Sequence, residues 1–414
     1  MNRREWLRTA SMLPLVSMVS NAFAADKIRK HSKSPMQAQV HGRCDKKFAA
    51  IREILTASLS AGDDLGASVA LTIDGKSVID IWGGWSDAAK TLPWNTDTVT
   101  NVWSTTKTMT SLCALTLIDR GQLDPYAPVS HYWPEFAANG KEKIEVRHLM
   151  SHTSGVAGWA QPVTITDVYD REKSTAMLAA QAPWWEPGAA SGYHLLNQGH
   201  LVGEVVRRVS DKTLTHFFAD EIAGPLDADF QIGLKPADDH RASPVIPPPP
   251  LPFDFSKLGP DSVAFKALTG PVVDASVANT MPWRRAEIGA ANGHGNARSV
   301  ARIHTMISNG GMIDGRRLLS PDTIKLIFDQ QSNGIDLVLG IPLRFGIGYC
   351  LPCAAVPVLP DARICFWGGY GGSMIVNDLD RRMTFSYVMN KMGPGIIGGP
   401  RSDALIRAVY AALA

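Results

Sequence analysis

Apolar positions recur along this chain with two periods, and the two periods occupy different stretches. Phe48, Ile51, Ile54, Leu55 and Leu59 fall at helical spacing and predict a helix over 44–60, ended by Gly62-Asp63-Asp64. Residues 67–73 and 77–82 read as strands, joined by Asp74-Gly75, a two-residue hairpin signal. A helical stripe follows at Met109, Leu112, Leu115 and Ile118. Asn101 is its expected cap, and Gly121 stands where a C-terminal cap belongs. From 125 to about 285 the pattern is mostly helical, with helices predicted over 145–150, 174–180, 198–210 and 214–222. A proline-rich stretch, 243–260, interrupts it and includes Pro247 to Pro250. It is expected to be an extended surface loop of the helical region. After a predicted helix over 298–309, strand-like runs return at 346–350, 364–367, 374–378 and 384–389. An amphipathic helix over 403–413 closes the chain. Strands at both ends with helices between predict one sheet assembled from 40–124 and 286–414, with 125–285 as a mostly helical insertion.

Composition narrows this little. Hydrophobic residues make up 45% and charged residues 19%, as in a soluble globular protein and unlike a disordered chain or coiled coil. No internal run approaches the roughly 18 apolar residues that span a bilayer. The N-terminus reads as a targeting segment. Arg3-Arg4-Glu5-Trp6-Leu7-Arg8 is a twin-arginine pattern, an apolar stretch runs over 9–19, and Ala22-Phe23-Ala24 is a small-x-small cleavage site. Residues 1–24 are therefore expected to be a removed signal peptide, the mature chain being periplasmic or secreted with no membrane span. Cleavage would remove Arg3, Arg4, Arg8 and Glu5 and leave basic and acidic residues balanced. That balance gives no footprint for nucleic acid.

The five cysteines are an odd number, so one thiol stays free unless it pairs between chains. Cys350-Leu351-Pro352-Cys353 has redox-motif spacing but lies in a strand-rich region with no helix start. A local disulfide or two packed thiols are the readings there. No His-Glu-x-x-His and no glycine-rich phosphate loop occurs, so neither metal nor nucleotide cofactor is expected.

Candidate chemistry centres on Ser104-Thr105-Thr106-Lys107, the only place where a Ser stands three residues before a Lys. On a helix that spacing puts both side chains on one face. A Ser hydroxyl needs an adjacent base to become a nucleophile, and Ser-x-x-Lys is one arrangement that supplies it. A first helical turn also leaves backbone N–H groups free to meet a developing anion. The alternative nucleophile signature, Gly-x-Ser-x-Gly, is absent; Gly66-Ala67-Ser68-Val69-Ala70 is a near miss on a predicted strand.

Four segments together resemble the serine β-lactamase and penicillin-binding-protein superfamily, over most of the chain from about Leu65. They are Ser104-x-x-Lys107, Leu149-Met150-Ser151-His152-Thr153-Ser154-Gly155, Tyr193-His194-Leu195 and Trp367-Gly368-Gly369 followed by Tyr370. The resemblance is closest to family VIII carboxylesterases. It implies a β-lactamase/transpeptidase-like α/β fold: an antiparallel sheet flanked by helices, with a mostly helical insertion. It also implies Ser104 as nucleophile, Lys107 and Tyr193 sharing the proton transfers, and an oxyanion hole from the N–H groups of Ser104 and Tyr370. Trp367, Gly368 and Gly369 are implied to border the substrate. His152 is expected to be a hydrogen-bonded structural residue. Leu195, Trp184, Trp185 and His294 are candidates for lining the pocket.

Two departures point to the substrate. Leu195 replaces the Asn of the family's Tyr-x-Asn motif, and Trp367 replaces the Lys or His of its third motif. A cation there can hold a carboxylate, whereas Trp offers one neutral N–H and an apolar face. The expected substrate is thus a small, largely apolar ester. β-Lactam or D-Ala-D-Ala peptide cleavage, and acyl transfer or amide hydrolysis, remain open on the same scaffold. The oligomeric state is not legible.

Overall fold

A nine-stranded antiparallel sheet is the spine of the computed structural model, which describes residues 39–160, 162–249 and 257–414. The expected signal peptide and residues 250–256 of the proline-rich stretch lie outside the described residues. The strands are β1 (Val40–Cys44), β2 (Gly66–Ile73), β3 (Lys76–Gly84), β4 (Ser332–Ile335), β5 (Pro342–Phe345), β6 (Cys350–Leu351), β7 (Ile364–Gly368), β8 (Met374–Asp378) and β9 (Met383–Met389). Their spatial order is β1-β3-β2-β9-β8-β7-β6-β5-β4, so the two ends of the chain meet at the β2–β9 pair.

The β2–β3 hairpin forms where Asp74-Gly75 was expected to turn the chain. Both residues have positive φ, 50° and 76°, as a two-residue turn matching strand twist requires. Strands β2, β8 and β9 are buried almost throughout, so their sequences lack an apolar-polar alternation. The reason is that both sheet faces are covered. On one face Ser68 and Thr72 of β2 and Thr384 of β9 bond to the Ala297–Ser308 helix, through Ala297 N, Thr305 and Ser308. On the other, Tyr387 donates to Asp64, which also receives Arg401 of the Pro400–Leu413 helix. Leu71, Ile79 and Ile81 are fully buried in the sheet, each worth about 1.5–3 kcal/mol.

Three local expectations are corrected. The predicted 44–60 helix begins later, as Ala49–Ala61, because Val40–Cys44 pairs with β3 as an edge strand and a 3-10 turn intervenes. The predicted 346–350 strand is mostly a turn, with the Gly346 N–H donating to Tyr349 O between β5 and β6. Asn101 does not cap a helix; it ends the short strand Val99–Asn101, and its amide nitrogen donates to the carbonyls of Ala291 and Gly293.

Residues 125–285 carry the Arg171–Ala180, Asn197–Ser210, Leu214–Phe218 and Val263–Thr269 helices. The Thr106–Asp119 helix packs against the Asn197–Ser210 helix. It is buried on every side through Leu117. The apolar stripe read from the sequence is therefore only part of its contact surface. Thr110 and Ser111 bury their hydroxyls by donating to the carbonyls of Gly289 and Gly348.

Candidate active site

The turn that carries Ser104 is built from backbone constraints. The chain leaves Val99–Asn101, passes Val102, whose N–H donates to Gly293 O, and turns at Trp103. Trp103 has φ 48°, a conformation that is an outlier for a bulky residue and costs roughly 1–3 kcal/mol. Packing holds it there: its ring lies 5.2 Å from Trp283 and 5.5 Å from Tyr370. Ser104 then sits in a 3-10 turn that runs directly into the Thr106–Asp119 helix. From the opposite side, the loop after β7 closes on this turn. A Cβ on Gly369 would lie 2.2 Å from Val102 O, so only glycine fits. Ser373 fastens the contact by donating to Val102 O at 2.9 Å and lying 2.9 Å from Thr105 Oγ1.

Lys107 Nζ lies 3.2 Å from Ser104 Oγ, 2.7 Å from Leu195 O and 3.0 Å from Ala290 O. No carboxylate pairs with it among the described residues, and burial pulls its pKa well below the ordinary lysine value. A neutral amine has two N–H donors and one lone pair. The two carbonyls can take only the donors. The lone pair is left for Ser104 Oγ, which then donates its proton.

Tyr193 completes the cluster. Its ring lies under Lys107 Nζ at 4.7 Å from the centroid, and its hydroxyl accepts from Trp367 Nε1 at 3.1 Å. Burial pushes the phenol well above its usual pKa; the neighbouring Ser104 hydroxyl and the hydrogen bond from Trp367 act in the opposite direction. The loop bearing Tyr193 is clamped on both sides. His152 O accepts from Gly192 N and His152 Nδ1 accepts from His194 N. Asp336 Oδ1 accepts from Tyr193 N at 3.0 Å. His152 is buried, which holds it neutral by lowering its pKa well below the usual value, as do the nearby His194 and Lys107.

A cavity of about 400 Å³ opens onto Ser104, Tyr193 and Tyr370. Trp159, Leu195, Leu196, Leu268 and Val273 give it apolar walls, and Asp274 is the single charged lining residue among the described residues. No Lys, Arg or His is among the described residues that line it. The N–H groups of Ser104 and Tyr370 donate to no acceptor among the described residues, so both are free to meet a carbonyl oxygen.

The sequence-derived residues divide accordingly. Ser104, Lys107, Tyr193 and Trp367 form one hydrogen-bonded group, and Leu195 and Tyr370 line the cavity beside it. Gly369 shapes the approach of the β7 loop to the Ser104 turn and Gly368 packs against Ile397 and Gly398; neither lines the cavity. Trp184 and Trp185 stand behind the wall, against Gly158 and Gly192 respectively. His294 is buried in the short strand Gly293–Gly295, bonded to Asn292 O, with its pKa lowered to about 3 by burial. Sequence reasoning missed Trp103, Ser373, Asp336, the carbonyls of Leu195 and Ala290, and the wall at 267–274. Asp336 carried a signal: it is a lone carboxylate inside the apolar run Ile335-Asp336-Leu337-Val338-Leu339. All five cysteines are free thiols, and among the described residues no group of His, Cys, Asp and Glu is placed to hold a metal ion.

This fold is that of a serine hydrolase of the β-lactamase and penicillin-binding-protein type, and comparison with known proteins agrees. The Beta-lactamase family model matches residues 51–407, and the chain belongs to that family. Esterase/beta-lactamase LipL of Mycobacterium tuberculosis is 33% identical over 386 residues, covering 91% of this chain and 88% of LipL. The crystal structure of a family VIII carboxylesterase superposes with a TM-score of 0.85 at 37% identity, over 90% of this chain and all of that one. A penicillin-binding-protein homologue from Caulobacter crescentus superposes with a TM-score of 0.84 at 35% identity, over 90% of this chain and all of that one.

Proposed function

We propose that this protein is a serine carboxylesterase that cleaves small, largely apolar esters through an acyl-Ser104 intermediate. The observation that carries this reading is the cavity at Ser104: apolar walls and, among the described residues, one carboxylate and no cationic side chain in its lining. A β-lactam or a peptide C-terminus brings a carboxylate that this lining would leave unpaired. A neutral ester brings none.

Lys107 takes the Ser104 proton on its lone pair as Oγ attacks the ester carbonyl. The carbonyl oxygen, now an anion, is received by the N–H groups of Ser104 and Tyr370. Tyr193 gives its proton to the departing alcohol, and the proton on Lys107 restores the phenol. Water then adds to the acyl-Ser104 carbon by the same proton route and releases the acid. Fluorophosphonate labelling tests the nucleophile. The wild type is expected to be labelled and Ser104→Ala not at all; labelling of the Ala variant overturns the assignment.

LipL, named as both an esterase and a β-lactamase, keeps a second activity in view. Nitrocefin beside a p-nitrophenyl ester series separates the two. Fast nitrocefin cleavage without ester turnover would refute the reading. We also propose that residues 1–24 direct export and are removed after Ala24, which N-terminal sequencing of the periplasmic protein would check.

A further inference from the structure

Asp336 is 0% exposed and lies in the β4–β5 connection, far in sequence from Ser104. Its Oδ1 accepts three backbone N–H groups: Val338 at 3.0 Å, Leu339 at 2.9 Å and Tyr193 at 3.0 Å. The first two merely close its own turn. The third reaches across to another segment and holds the residue that carries the phenol. A second strut joins the same two segments, where Leu337 N donates to Ser191 O. Oδ2 is buried and has no partner among the described residues. A carboxylate buried with one oxygen unpaired is unfavourable. A turn-closing role would be met equally well by Asn, which offers the same Oδ1 without the charge.

The groups facing Tyr193 show what the charge does there. Lys107 lies over its ring, His152 packs 4.8 Å away, and Trp367 donates to its hydroxyl. Trp367 donates to the phenol oxygen and Lys107 gains a proton during the reaction, so both favour loss of the phenol proton, whereas His152 is neutral and only packs. Among the described residues Asp336 is the one anion acting on the phenol, and it favours retention of that proton. Its oxygen also fixes the main chain from which the phenol projects.

We propose that Asp336 is a positioning residue that holds Tyr193 as the proton donor to the leaving alcohol. This rests on the ester-hydrolase reading given above. The prediction concerns leaving groups. p-Nitrophenolate departs without being protonated, whereas an alkoxide of ordinary basicity does not. A misplaced donor therefore slows alkyl esters more than aryl esters.

The test compares kcat and KM for an ethyl ester and the p-nitrophenyl ester of the same acid, in wild type, Asp336→Ala and Asp336→Asn. Asp336→Ala is expected to lower kcat on the ethyl ester about 10–100-fold, to lower it about threefold or less on the p-nitrophenyl ester, and to leave both KM values near wild type. Asp336→Asn, which keeps an acceptor for the three N–H groups, is expected to recover most of the loss yet retain a measurable leaving-group bias. Equal losses on the two esters, or a lower melting temperature with an unchanged rate ratio, would overturn the proposal. If the Ala variant does not fold, the Asn variant decides: no bias between its two esters overturns it. A wild type that turns over neither ester would instead defeat the ester-hydrolase reading itself.

Discussion

Lys107 and Lys141 are both sealed from water, at 3% and 0% exposure, and both donate only to uncharged oxygens. Their surroundings differ in one partner. Lys141 donates to three carbonyls, those of Ala138, Ala179 and Gln181. Lys107 donates to two carbonyls and meets a hydroxyl. Three carbonyls suit an ammonium, which has three N–H groups and no lone pair. A deprotonated Lys141 would turn its lone pair toward a carbonyl oxygen. Burial lowers Lys141 only to about 8, and it remains largely charged at neutral pH. The hydroxyl beside Lys107 can reverse its role and donate, so the neutral amine loses nothing. Burial alone does not make a lysine into a base; a partner able to give up a proton does.

The largest test of this contrast is Lys107→Arg. Guanidinium has no lone pair at any working pH, so turnover should fall by about 10²–10⁴-fold with the fold retained, read by ester kinetics beside circular dichroism. The pH profile carries the same sign. The working form is the deprotonated amine, so kcat/KM should rise with pH through the depressed pKa of Lys107 and level off well below the ordinary lysine value near 10.5. A rise centred at 10.5 would remove the distinction between the two lysines. Smaller in free energy is Lys141→Met. It should lower stability by about 2–3 kcal/mol, read as a shifted urea midpoint, because buried carbonyls lose their donors. Activity per folded molecule should not change, and a loss comparable with that of Lys107→Arg would break the comparison. Smallest is Trp367→Phe, which removes one N–H bond to Tyr193. A loss of about 1 kcal/mol, or roughly fivefold in kcat, is expected.

The contrast also explains what could be read in advance. Side-chain members of the site were legible because their chemistry resides in residue type: Ser104, Lys107, Tyr193 and Trp367 were all identifiable. The carbonyls of Leu195 and Ala290 were not, since every residue has one and only the fold selects which point at an amine. Likewise the wall at 267–274 carries no motif; it lines the cavity only because the helical region brings it to a serine more than 160 positions earlier. In the sheet, β8 and the β2–β3 hairpin followed their patterns closely. The strands β1, β4 and β5 were missed: β1 and β4 are the outermost strands of the sheet, and β4 and β5 have only 4 residues each. Edge strands bury little and so leave little apolar pattern.

Leu195 joins both halves of the site, since its side chain shapes the cavity while its carbonyl accepts from Lys107. These two contributions come from different atoms and are separable. Exchanging the side chain at position 195 is therefore expected to leave the carbonyl contact to Lys107 in place. A library randomised at this one codon would therefore sample substrate preference on a constant catalytic engine, and a lineage could move between ester classes there without first losing the ability to react.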